Sequence, residues 1–226
     1  MFTKSTLAAA LSVALMSAAQ AGTVVSAVGA TILSGGPGIG NIADTYEQWG
    51  IFDGQEYVSG VTDFDAYFAT KPMHDFMYPG QEWFSNDGTT AAVVSYDLGA
   101  VKNIQGMALW NEDGAGIGKL NLLGSTDGIS WFSLLSNLRP TDNTYEAAYT
   151  ADIYSWKSVA LRYVKLDMSG CPQTQPANKP FTACGIGEVA FNAAAPVTSV
   201  PELNPISMGA LGLGLMAVGL RRRRQG

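Results

Sequence analysis

Between residues 83 and 191, apolar and polar residues alternate in short runs. Val94, Tyr96 and Leu98 fall on one side of an extended segment, Ser95 and Asp97 on the other. Met107 and Leu109 continue the pattern, and Leu120 and Leu122 lead a further run. Val164, Leu166 and Met168 alternate with Tyr163, Lys165 and Asp167, and Gly187, Val189 and Phe191 form the last run. A period of two is what a strand with one buried face produces. The runs are separated by Asn86-Asp87-Gly88, Glu112-Asp113-Gly114 and Asp127-Gly128, residues that turn the chain. Helical periodicity is scarce here, so the pattern predicts an all-β sandwich or barrel. The Gly-rich residues 35–40 read as a loop, and residues 192–200, rich in Ala, Pro, Ser and Thr, as a linker.

The two ends break this pattern. Lys4, the apolar run Leu7 to Ala19 and the small-x-small set Ala19-Gln20-Ala21 compose a secretion signal cleaved after Ala21. At the other end, Val200-Pro201-Glu202 precedes an uncharged stretch from Ile206 to Leu220, then Arg221 to Arg224. As a helix that stretch reaches roughly 22 Å, short of the about 30 Å of a bilayer core. The arginines would hold the end on the cytoplasmic side. These three parts resemble the PEP-CTERM sorting signal of exosortase substrates, with Leu203 where the family usually has Pro. The resemblance implies transient membrane insertion, processing by an exosortase-type enzyme near Pro201-Glu202, and release to the cell surface or matrix. A retained tail anchor is the alternative. The chain thus divides into a signal peptide (1–21), a β domain (22–191), a linker (192–200) and a sorting tail (201–226), with a signal helix and an apolar helix flanking the sandwich.

Export changes the charge and the cysteine chemistry. The 226-residue chain has 13 basic and 19 acidic residues, a net of −6. Residues 22–200 hold 8 and 18, a net of −10. Such an acidic domain repels nucleic acid and anionic lipid, and its acidity favours solubility and cations. Cys171 and Cys184 both lie in the exported part, where a disulfide persists. Two Cys and one distant His do not make a zinc set.

A second resemblance lies in the core. Trp83-Phe84-Ser85, Val94-Ser95-Tyr96-Asp97-Leu98-Gly99, Ile104 and Gly124-Ser125-Thr126-Asp127-Gly128-Ile129-Ser130-Trp131 follow the order of motifs in discoidin (coagulation-factor 5/8 C-type) domains. Arg162-Tyr163-Val164-Lys165-Leu166 and Gly187-Glu188-Val189-Ala190-Phe191 resemble that family's last strands. The likeness covers residues 83–191 well and 23–82 poorly. It implies an eight-stranded jelly roll whose loops at one end bind ligands, often sugars.

Catalytic constellations are weak. His74 is the single histidine and stands beside Asp75, without a nucleophile elbow. Gly114 to Lys119 lacks the first Gly and the Ser or Thr of a phosphate loop. Scattered acids leave glycoside hydrolysis a minor alternative. The ligand-site candidate is Trp110, Asn111, Glu112 and Asp113: an aromatic face for a sugar ring, amides and carboxylates for its hydroxyls. The alternative is a Trp packed at the rim of the sandwich. Trp83 and Trp131 are expected in the core. Asp63 and Asp65 are candidate calcium ligands from a loop, because hard cations take oxygen donors; the resemblance adds Glu188. The expectation is a non-catalytic exported module that binds carbohydrate or a matrix polymer. A structural matrix protein without a small ligand is the alternative.

Overall fold

The computed structural model describes residues 22–76, 80–173 and 182–194. The leader, the sorting tail and all but the first residues of the linker lie outside the described residues. The chain forms two compact units, Met1–Ala195 and Pro196–Gly226, and every described residue belongs to the first.

The unit is an all-β sandwich. Its strands are β1 (Thr23–Val25), β2 (Gly29–Ser34), β3 (Ile39–Gly40), β4 (Met73–His74), β5 (Trp83–Phe84), β6 (Ala91–Asn111), β7 (Lys119–Ser125), β8 (Phe132–Leu138), β9 (Tyr149–Thr150), β10 (Asp152–Ser169) and β11 (Gly185–Ala193). A 3₁₀ turn (Ile42–Thr45) and one six-residue helix, α1 (Phe64–Ala69), complete it. The main sheet runs β3-β5-β11-β6-β10-β7-β8, with β1 on β11 and β2 on β6; β4 and β9 pair separately. Against the eight strands that the resemblance implies, short extra strands come from residues 23–74, and β3 lies in the stretch read as a Gly-rich loop. β11 ends at Ala193, inside the expected linker. Cys171 and Cys184 are joined.

The two sequence runs around Tyr96 and Leu109 are one strand, β6, of 21 residues. Its partner β10 follows it antiparallel, with register shifts between Ser155 and Val159 and between Leu161 and Tyr163. Such irregularities let a strand pair bend from one layer into the next. The first half of β6 pairs with β2, the second half with β11.

The halves differ in burial. Around Val94 to Leu98 the alternation holds: Val94, Tyr96 and Leu98 enter the main core with Leu120, Leu122, Val164 and Leu166. From Gly106 to Asn111 every residue is buried. Met107 and Leu109 face that same core. Ala108 and Trp110 face a second cluster, built from Ile51, Tyr57, Phe64, Tyr67 and Tyr149. The segment preceding β5 thus covers the outer face of this half with a further apolar layer.

Candidate ligand-binding site

The expected tetrad is inside. Trp110 is fully buried; its indole N–H donates to the Pro72 carbonyl at 3.1 Å, and its ring lies 5.4 Å from Phe68. This corrects the expectation of a sugar platform. β6 continues to Asn111, so Trp110 sits on a strand face that α1 covers, not at a loop entrance. The run Met107-Ala108-Leu109-Trp110 carried the signal, since a strand buried on both faces reads as continuously apolar. Asn111 donates from Nδ2 to Thr141 O and Gln173 Oε1, and its Oδ1 accepts from Ile117 N. Glu112 accepts from the amides of Gly114 and Ala115, and Asp113 from that of Glu146. These side chains hold loops together.

The expected metal ligands do not converge either. Asp63 Oδ1 accepts from Ala66 N at 2.7 Å as the N-cap of α1. Asp65 is exposed in the first turn of the same helix. The alternate acids that read as a loop begin a helix, where a capping carboxylate is favoured. Glu188 is fully buried, with Oε2 accepting from Gln48 N at 3.0 Å and Oε1 unpartnered. Burial pushes its carboxyl well above the usual range, and the nearby charges of Glu47 and Asp44 add to the shift.

Among the described residues, the acids that do gather are Glu82, Glu112 and Asp113, with one ligand oxygen from each within 4.8 Å of the others. All are buried. Burial raises the Glu112 carboxyl well above its usual range, helped by Glu82 and Asp113 and opposed by the two amides it accepts from. Tyr149 donates its hydroxyl to Glu82 Oε1. His74 stacks on Tyr149 with ring centres 5.1 Å apart. Its Nδ1 donates to the Asp75 carbonyl, and burial depresses its pKa to about 4, so the ring stays neutral. Three oxygen donors so placed could hold a metal ion.

Above His74 lies an open cleft of about 480 Å³, lined in part by Trp49, Gly50, Phe52, Asp53, Asp75 and Gln81. Gly50 forms part of it because nothing larger fits: a Cβ there would stand 2.0 Å from His74 Cε1 and Nε2. Trp49 is 63% exposed, with its indole N–H on Glu47 Oε2 at 3.2 Å. Gln81 donates to Trp49 O, and its Oε1 is buried without a partner. Among the described residues, the lining holds two carboxylates, an exposed indole and two side-chain amides, and no cationic side chain. Sequence reasoning missed it. The cleft is made by residues 49–55, 75 and 81, which carry neither strand periodicity nor the family motifs.

No family model matches the chain, and no curated protein matches it. Solved structures similar to it include a pectin-binding carbohydrate-binding module, 22% identical over 50% of this chain and 73% of that one, with a TM-score of 0.38. Another is the CBM32 of AlyQ in complex with 4,5-unsaturated mannuronic acid, 15% identical over 74% and 96%, TM-score 0.43. A third is chitosan-binding module 1 of a chitosanase/glucanase from Paenibacillus sp. IK-5, 17% identical over 74% and 95%, TM-score 0.43.

Proposed function

We propose that this protein is an exported, non-catalytic carbohydrate-binding module whose ligand enters the Trp49 cleft. The observation that carries the reading is an exposed indole beside the carboxylates of Asp53 and Asp75. A flat apolar ring packs on the C–H face of a pyranose, and acceptors around it take the hydroxyl protons. Because the described lining is acidic and holds no cation, neutral or amino sugars suit it better than uronates. Export rests on the leader up to Ala21 and is compatible with the disulfide. Among the described residues no helix is long and apolar enough to cross a membrane. Sorting through Val200-Pro201-Glu202 by an exosortase-type enzyme, with delivery to the cell surface or matrix, belongs to the same proposal.

For a metal, the Glu82–Glu112–Asp113 set supplies only oxygen donors, which is hard-cation chemistry, and calcium is the ion we assign to it. Bound there, it would tie the β6–β7 turn to β5 beneath the cleft.

Titration calorimetry of the full chain against chitohexaose and cellohexaose, in calcium and in EDTA, tests both statements. Trp49→Ala should weaken binding at least tenfold, and Glu112→Gln should remove the calcium-dependent rise in Tm. Unchanged affinity in Trp49→Ala overturns the placement of the site. A wild-type chain that binds no polysaccharide overturns the function. A Tm indifferent to calcium overturns the metal.

A further inference from the structure

A second cleft, also of about 480 Å³, lies on the outer face of the sheet formed by β2, β6 and β10. Its residues share none with the Trp49 cleft. Strand register builds it. Val94, Tyr96 and Leu98 point into the core, so Ser95 and Asp97 point out. Thr31 stands opposite Ser95, and Ser95 opposite Lys165; one level along, Gly29 stands opposite Asp97, and Asp97 opposite Tyr163. Trp131, delivered by the turn at Asp127-Gly128, closes one side, with Lys165 Nζ 4.1 Å from its ring centre. A cation so placed holds an indole by attraction to its π face.

We propose that this cleft is a second saccharide-binding site, one that takes a neutral polyhydroxylated ring. The aromatic wall is Trp131 and Tyr163, and the hydroxyls of Thr31 and Ser95 supply donors and acceptors. Charge selects the ligand. Arg162 grips Asp97 through two hydrogen bonds, Nε to Oδ1 at 2.8 Å and Nη2 to Oδ2 at 2.7 Å. Asp127 Oδ1 is engaged by its own turn, accepting from Ile129 N, Ser130 N and the Ser125 hydroxyl. Lys165 is held over Trp131. Both cations are engaged within the protein, so an anionic sugar finds no free counterion. The room for the ring comes from Gly29, where an added Cβ would meet no atom within 4 Å. The volume is within the roughly 300–1,000 Å³ of small-ligand pockets. With one cleft on the loops and one on a sheet face, a single chain would bridge two glycan strands.

The inference stands on the same reading of the protein as a sugar binder, but on different residues, so the two can fail separately. The probes are cellohexaose, mannohexaose and xylohexaose, titrated into the full chain by calorimetry. Gly29→Leu fills the cleft without removing any contact, and Trp49→Ala disables the other. We expect two sites per wild-type chain and one in each variant, with the Tm of Gly29→Leu within a degree or two of wild type. Wild-type binding at one site that Gly29→Leu leaves intact overturns the second site and spares the first. Loss of all binding in Trp49→Ala does the same. Binding that survives Trp49→Ala and vanishes in Gly29→Leu keeps this site and overturns the first. No binding of any of these probes by the wild-type chain overturns this site, and the chitohexaose titration decides the first separately.

Discussion

The two clefts have the same volume and an indole each, yet they are made in opposite ways. The Trp49 cleft rests on irregular backbone over a buried acid cluster, and its Gly50 is pressed against His74. The Trp131 cleft rests on regular strands whose register sets its floor, and its Gly29 faces open space. Carboxylates behave accordingly. Under the first, burial pushes Glu112 up. At the second, Arg162 pulls Asp97 down, and backbone amides pull Asp127 down to about 2. A carboxylate's proton affinity is decided by what replaces its water: apolar walls and like charge in one place, donors in the other.

The sharpest break of this comparison is between indoles. Trp110→Ala empties a fully buried site in the second core cluster and should cost about 3–5 kcal/mol in chemical denaturation. Trp131→Ala, at the partly exposed second cleft, should cost about 1 kcal/mol or less, the scale of an exposed cation–π pair. Equal losses would mean that both are core residues. Next come the glycines. Gly50→Ala must displace the His74 ring and should cost about 1–3 kcal/mol, as overpacking does, whereas Gly29→Ala should be near neutral. Parallel thermal melts decide it. The smallest effect is on acid stability. Asp127 holds its folded pKa, about 2, below its ordinary 3.8. Its contribution is therefore complete above the ordinary value and is lost as pH falls through about 2. Asp127→Asn should flatten that part of the stability–pH curve, and an NMR titration of the Asp127 carboxyl should show the low midpoint directly.

Legibility in the sequence follows the same division. The first half of β6, β7 and the end of β10 were readable because one face of each is buried and alternation survives, whereas β11, buried at every position, was legible through its resemblance to the family's closing strand. Cys171 and Cys184 were readable because exported cysteines pair. Trp131 is half-buried rather than core: its motif position says which strand it precedes, not that Lys165 holds it at the edge of a cleft. The layer from the 3₁₀ turn to β4 was illegible. Its helix has six residues and its strand β4 two, too few to display a period. That layer buries Trp110, converts Asp63 into a helix cap and carries Trp49. The misplacements at Trp110, Asp63 and Asp65 therefore share one cause. Convergence of Glu82 with Glu112 and Asp113 depends on β5 and β6 both pairing with β11, a contact no local pattern announces.

The pairing of β1 with β11 places Thr23 opposite Ala193. Tension applied between Gly22 and Ala194 would open that ladder from its end, one of three residue pairs at a time, as a zipper opens. The β6–β10 ladder, with fourteen registered pairs, is not the first to be loaded. Under a pulling force the first strand would peel away while the β6 and β10 strands at the floor of the Trp131 cleft stay paired.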